Sequence, residues 1–328
     1  MNKLKKYYSS IQCKSNILAF LVLMIVASIA FADKNFLSTN NIANILLKAA
    51  KNGGMLAFGM TFVILLGEID LSVSSVYAFS GVVMGVVGAI NPVLGIVAGL
   101  LTGVITGWML GFMVTKLRIH SWIASLAMMF AVRGLISIVA HASVPIESEL
   151  MRFGSIKFLK GFLGINAGIS ILIPILLILT LVCMYVSRYS KFGMSLYAVG
   201  GNKEAARMMG IDVDKITMKG FICSGAIASL SGVLLASNSG SATLSAGNAY
   251  ETFAIAMCAI GGIKLSGGEG RFAGTFFGVM IYFVINTIFT YLNGVSVNWQ
   301  SVIMGALVLI SVGLQSEVFQ GMKIKVKK

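Results

Sequence analysis

The chain has 328 residues, 57% of them hydrophobic and 11% charged, with a mean hydropathy of +0.92 and a formal net charge of +14. Soluble domains carry about 25% charged residues, so this composition excludes one and describes a protein with many membrane spans. The positive charge does not make a nucleic-acid surface, because Lys and Arg are scattered through short loops between apolar runs, where they set membrane orientation.

In chain order, apolar runs fall at 17–32, 55–66, 73–90, 93–114, 121–140, 165–186, 219–237, 252–262, 273–292 and 298–314. They predict an all-α polytopic bundle of about ten spans. It forms one transmembrane domain over residues 1–328, with a cytoplasmic loop near 187–218. The first run reads as a retained anchor rather than a signal peptide, since nine more runs follow it. With both termini cytoplasmic, the cytoplasmic segments hold eighteen of the 25 Lys and Arg residues and the outer segments six; Arg133 lies within a run. This asymmetry is the one expected of a membrane protein oriented by its loops.

The runs 55–66 and 252–262 are too short to span. Each ends in a similar hexapeptide, Gly67-Glu68-Ile69-Asp70-Leu71-Ser72 and Gly261-Gly262-Ile263-Lys264-Leu265-Ser266. Short, glycine-interrupted apolar segments in both halves of a chain point to broken helices along a pathway, and to an internal duplication. Glu68, Asp70 and Ser72 at the first break have two readings. They line or gate the pathway or pair with Arg133, or else Asp70 and Ser72 simply cap the next helix.

Gly95, Gly99, Gly103, Gly107 and Gly111 recur every four residues, which makes a stripe along one helix face for close helix packing. Arg133 falls toward the outer half of its run and could reach the interface. The outer segment 239–251 is rich in Ser, Gly and Thr, and there Asn248 and Glu251 are candidates for meeting a polar solute or a docking protein. The four cysteines have neither a disulfide pattern nor metal-ligand spacing, and no phosphate-binding glycine loop or catalytic cluster is present. The chain is therefore expected to need no metal or cofactor of its own, and any ATPase is another chain.

The one long polar stretch between the apolar halves, 189–219, contains a short predicted helix. Asn202 is its N-cap, Glu204 suits the positive end of the helix dipole, and Gly210 is its stop. Lys203, Glu204, Ala205, Ala206, Arg207, Met208 and Met209 make up a rod about 10 Å long. A small capped helix beneath a membrane bundle is suited to docking a partner.

Four stretches carry a family resemblance. Glu204-Ala205-Ala206 with Gly210 resembles the Glu-Ala-Ala-x3-Gly loop of ATP-binding-cassette importer permeases. Gly59-Met60-Thr61 with Gly67 and Ile69-Asp70-Leu71-Ser72-Val73 resembles the ribose-type members. So do Ala198-Val199-Gly200-Gly201-Asn202, and the segment containing Gly261, Gly262, Gly267, Gly268, Gly270 and Arg271. Glu68 and Ser74 stand where that family usually has glycine. The resemblance implies a subunit of the bacterial plasma membrane that pairs with a second permease subunit, alike or different. It also implies two cytoplasmic ATPases that hold ATP and Mg and grip the 202–210 helix, and an extracytoplasmic solute-binding protein. A sugar would then be imported by alternating access. Nucleosides, branched-chain amino acids or a sugar-derived signal are the neighbouring alternatives, and an ion-coupled carrier using Glu68 and Asp70 is the alternative from another class.

Overall fold

The structure is a computed structural model that describes residues 17–32, 35–158 and 168–292, with single positions between 299 and 313. Among the described residues it is a helical bundle with a few two-residue strands. Nine of the ten apolar runs appear there as helices: α1 (Ile17–Ala30), α3 (Leu56–Leu65), α4 (Val73–Gly88), α5 (Pro92–Thr115), α6 (Ser121–Val139), α7 (Leu172–Tyr189), α10 (Val213–Ser239), α11 (Tyr250–Ile260) and α12 (Phe272–Tyr291). The tenth, 298–314, lies largely outside the described residues. Three further helices, α2 (Thr39–Lys51), α8 (Lys191–Gly201) and α9 (Lys203–Met208), complete the set. Five helices (α5, α6, α7, α10 and α12) are long and apolar enough to cross a membrane alone.

Local chemistry sets the boundaries. The Asn91 side chain accepts hydrogen bonds from the backbone N–H groups of Val93 and Leu94, at 3.0 and 3.1 Å, with Pro92 in the first turn of α5. An N-cap amide followed by proline is a favoured helix start. The glycine stripe then decides what α5 packs on. Gly99 lies against Ser80 of α4, where an added Cβ would meet Ser80 O at 2.8 Å. Gly103, Gly107 and Gly111 face Gly225, Phe221 and Met218 of α10, and Gly95 faces Gly88 of α4. Glycine lets these backbones touch, which supplies the van der Waals contact that lipid tails would otherwise match. Away from these contacts, Ile105 and Trp108 of α5, like Ile178 and Leu181 of α7, are exposed, as a lipid-facing surface requires.

α10 and α3 form the centre. All ten residues of α3 are buried, and the helix is apolar on every side. The sequence reading treated this segment as too short to span, and the structure explains how it crosses. α2 precedes it, and a turn at 52–55 with Gly53 at φ +83° separates the two. Phe36, ahead of α2, packs its ring 5.6 Å from Tyr291 at the end of α12, whereas Phe62 in α3 packs 4.6 Å from Phe272 at the start of α12. α2 and α3 together thus travel the length of α12 as one interrupted span, about 35 Å of helix.

The loops sort to two ends. Residues 66–72, 116–120, 190–212 and 261–271 meet at one end, where Arg118 pairs bidentately with Asp214 and Ser121 Oγ accepts from Ile69 N. At the other end β1 (Val144–Pro145) pairs antiparallel with β4 (Ser241–Ala242), and β2 (Lys157–Phe158) with β3 (Ile169–Ser170). The first end is the one that the charge asymmetry assigns to the cytoplasm.

Candidate functional site

The short cytoplasmic helix forms by local rules. Asn202 Oδ1 accepts from Ala205 N at 2.9 Å and starts α9. Gly210, at φ +79°, ends it: its N–H donates to Arg207 O and that of Ile211 donates to Ala206 O. This pair of hydrogen bonds is the left-handed glycine stop of many helices. Within α9 only Ala206 is buried; Lys203, Glu204, Ala205 and Arg207 are exposed, and Met208 at its end and Met209 after it are 84% and 67% exposed. Ala206 therefore seats the helix on the bundle, and Met208 and Met209 face outward. Arg207 reaches Asp214 of α10 at 3.9 Å. Asp212 caps α10 by accepting from Lys215 N at 3.0 Å, and that bond, helped by the Lys215 ammonium, holds its carboxyl below the usual range.

Immediately before α9, the end of α8 rests on both broken segments. A Cβ on Gly200 would collide with Leu65 O, and would lie 2.7 Å from Gly268 N. Gly268 N itself donates to Leu65 O at 2.9 Å, and Tyr197 of α8 donates its hydroxyl to Gly270 O at 3.2 Å. Gly267 approaches Gly67 so closely that its Cβ would lie 2.7 Å from Gly67 N. Gly267, Gly268 and Gly270 all have positive φ, and Gly261 packs on Gly274, where its Cβ would be 2.6 Å from the carbonyl oxygen. Finally, Lys203 forms a salt bridge with Glu68, whose side chain is only 12% exposed. The first residue of α9 is thus joined to the break after α3.

The two breaks are built alike. Gly67 N donates to Ile64 O and Glu68 N to Val63 O; Gly262 N donates to Ala259 O and Ile263 N to Cys258 O. Gly67 and Gly262 have φ of +75° and +77°, a conformation open to glycine at little cost. The structural equivalence is therefore Gly67 with Gly262. The hexapeptide pairing of Gly67 with Gly261 is one residue out of register.

The remaining candidates separate. Asp70 is buried, and its Oδ1 accepts from Ser72 N and Ser72 Oγ, at 3.0 and 2.6 Å. Its Oδ2 accepts from Ser224 Oγ of α10 at 2.8 Å. Ser72 precedes α4 but its side chain makes no cap to that helix, contrary to the capping reading, because its hydroxyl donates to Asp70; Asp70 in turn pins this turn to α10 through Ser224. Glu68 does not pair with Arg133, as one sequence reading had it, because the two lie at different levels of the bundle. Arg133 instead donates to Leu244 O and Ala246 O, at 3.2 and 3.0 Å, and to Ser74 O at 3.3 Å. It holds the 240–249 segment down against α4 instead of reaching the interface. Glu251 follows this segment at the start of α11, near Arg133, with one buried carboxylate oxygen lacking a hydrogen-bond partner among the described residues. Asn248 is exposed on the same segment. Sequence reasoning missed the partners Lys203 and Ser224, since nothing local marks them, and it missed α8, whose glycine-rich end looked like loop.

Interrupted spans, a glycine-packed bundle and a cytoplasmic helix tied to both interruptions define a membrane permease. The chain belongs to the family described as branched-chain amino acid transport system / permease component, whose model matches residues 41–312. It is similar to the ribose import permease protein RbsC of Bacillus subtilis (strain 168), with 39% identity over 299 residues, 90% of each chain. It is 33% identical to RbsC of Escherichia coli (strain K12) over 303 residues, 91% of this chain and 92% of that one. It is also 35% identical to the L-arabinose ABC transporter permease protein AraH of Azospirillum brasilense, covering 90% and 85%. No solved structure matches the chain. Together with the apolar helices, these findings make it a multi-pass protein of the bacterial inner membrane.

Proposed function

We propose that this chain is the membrane-spanning, non-catalytic subunit of an ATP-driven importer of a sugar or sugar-like solute. It pairs with a second permease subunit, and an extracytoplasmic binding protein delivers solute to the end carrying β1 and β4. Two cytoplasmic ATPases bind ATP and Mg and grip α8 and α9. The observation that carries this reading is the junction of α8 and α9 with both helix breaks, through Glu68–Lys203 and the contacts of Gly200 with Leu65 and Gly268. A displacement of α9 is passed directly to the interrupted spans, and that is what alternating access requires. Sugars are favoured over branched-chain amino acids because the relatives similar over most of the chain are named for ribose and L-arabinose. An ion-coupled carrier is disfavoured, because serine donors already engage both oxygens of Asp70.

The test is uptake of labelled D-ribose, L-arabinose, leucine and adenosine by cells expressing the complete transporter. Sugar uptake that collapses on ATP depletion and survives an ionophore is expected. Uptake lost with the ionophore alone, or confined to leucine or adenosine, contradicts the reading.

A further inference from the structure

Between α2 and the outer half of α12 lies an open cleft of about 500 Å³, within the size range of small-molecule sites. Beside Leu47 and Tyr291, its lining carries hydrogen-bonding side chains, among them Lys48 and Lys51 of α2 and Thr287 and Thr290 of α12. α2 is about 20 Å long. It descends from the outer end of α12 to the level of Tyr77, whose hydroxyl donates to Lys51 O at 2.6 Å. The cleft therefore follows an interrupted span into the depth of the bundle. Polar side chains at such a depth face a water-filled cavity or a ligand, since lipid cannot satisfy them.

The charges specify the ligand. Lys48 and Lys51 are three residues apart, so their side chains share one face of α2. Among the described residues neither forms a salt bridge, and both are only partly exposed. Two neighbouring ammonium groups repel one another, and removing unpaired charge from water is costly. An anion between them relieves both costs. The rest of the cleft suits hydroxyl groups. The Thr287 and Thr290 hydroxyls donate to Phe283 O and Asn286 O, at 2.8 and 3.1 Å, which leaves their lone pairs as acceptors. The Asn44 and Asn52 amides offer both donors and acceptors.

We propose that this cleft holds the solute in transit, and that it selects a polyhydroxyl solute carrying an acidic group, a sugar acid or sugar phosphate in preference to a neutral sugar. The inference rests on the import function proposed above and adds the solute's charge class.

The test is binding to the full-length chain in phosphatidylcholine nanodiscs, measured by calorimetry with D-ribose 5-phosphate, D-gluconate, D-ribose and inorganic phosphate. The acidic sugars are expected to bind about tenfold or more tighter than D-ribose. Lys48→Gln and Lys51→Gln should each abolish that preference, and Lys48→Arg should retain it. If the glutamine variants fail to fold, the wild-type ligand series and the arginine variant still decide. Equal binding of D-ribose, or a preference that survives both glutamine changes, overturns the proposal. Inorganic phosphate binding as tightly as ribose 5-phosphate makes the cleft a plain anion site and also overturns it. Abolition of sugar binding in phosphatidylglycerol nanodiscs would mark a lipid-headgroup site, with the same consequence. Because no ATPase is present, the binding result does not depend on transport: intact acidic preference with failed uptake of the same acidic sugars leaves the cleft's selectivity standing and faults the import reading on which its transit role rests.

Discussion

Glu68 and Lys203 are 135 residues apart in the chain and joined by a salt bridge at the cytoplasmic end of the bundle. One carboxylate closes the first helix break; the other partner is the opening residue of α9. Their pairing links the surface helix to the interrupted spans.

Charge reversal should expose that link. Glu68→Lys in the complete transporter is expected to lower solute-stimulated ATP hydrolysis about fivefold, corresponding to roughly 1 kcal/mol for a partly exposed pair. The double exchange Glu68→Lys with Lys203→Glu should recover most of it. Equal activity of the single variant and wild type would remove the pair from the coupling route.

The glycine junction gives a paired comparison on one helix. Gly200→Ala places a methyl group against Leu65 O, whereas an alanine at Gly201 meets nothing within 4 Å. Overpacking of this kind costs about 1–3 kcal/mol. Thermal unfolding in nanodiscs should show a lowered midpoint for Gly200→Ala and an unchanged one for Gly201→Ala. Equal behaviour of the two would contradict the close approach.

Asp70 should act as an anchor and not as an ion site. Asp70→Ala leaves the Ser72 and Ser224 donors unsatisfied and is expected to cost about 1–3 kcal/mol of stability. Asp70→Asn retains a carbonyl acceptor for Ser72, and its amide can donate to the Ser224 hydroxyl, so it should keep most stability and most uptake. Uptake abolished by Asp70→Asn in a fully stable protein would support the ion-coupled alternative.

Asp212 predicts an acid-side effect. Its folded carboxyl is held below the ordinary range by Lys215 N–H. The resulting stabilisation is complete above the ordinary value of about 4 and is lost as pH falls through the lower folded value. The melting temperature of wild type minus that of Asp212→Asn should therefore be positive near neutrality and close toward zero in acid. A difference independent of pH would show that the charge of this cap does not matter.

The features readable from the sequence are the ones fixed by local chemistry. Asn202 and Gly210 bracket α9 because an amide cap and a left-handed glycine act within one turn. The five-glycine stripe of α5 was legible as a packing face because its period is that of the helix, although its partner on α10 was not. α2 escaped notice because Asn44, Lys48 and Lys51 interrupt its apolar pattern; the structure shows them lining a polar cleft. The break equivalence was found one residue out of register, since Ile69 and Ile263 match in sequence while Gly67 and Gly262 match in backbone conformation. Lys203 with Glu68, Ser224 with Asp70, and Arg133 with the carbonyls of 244–246 are all long-range, and only the assembled fold brings them together.

The central claim is that α9 is covered by an ATPase in the working complex. The most direct measurement is labelling of Met208→Cys by a membrane-impermeant maleimide on inside-out vesicles, with and without the ATPase subunits. With Cys13 and Cys223 replaced by Ser, the remaining native cysteines, Cys183 and Cys258, are buried, while Met208 is 84% exposed in the chain by itself. Strong protection of the introduced cysteine when the ATPases are assembled is the expected result. Labelling at the same rate in both states would contradict the account.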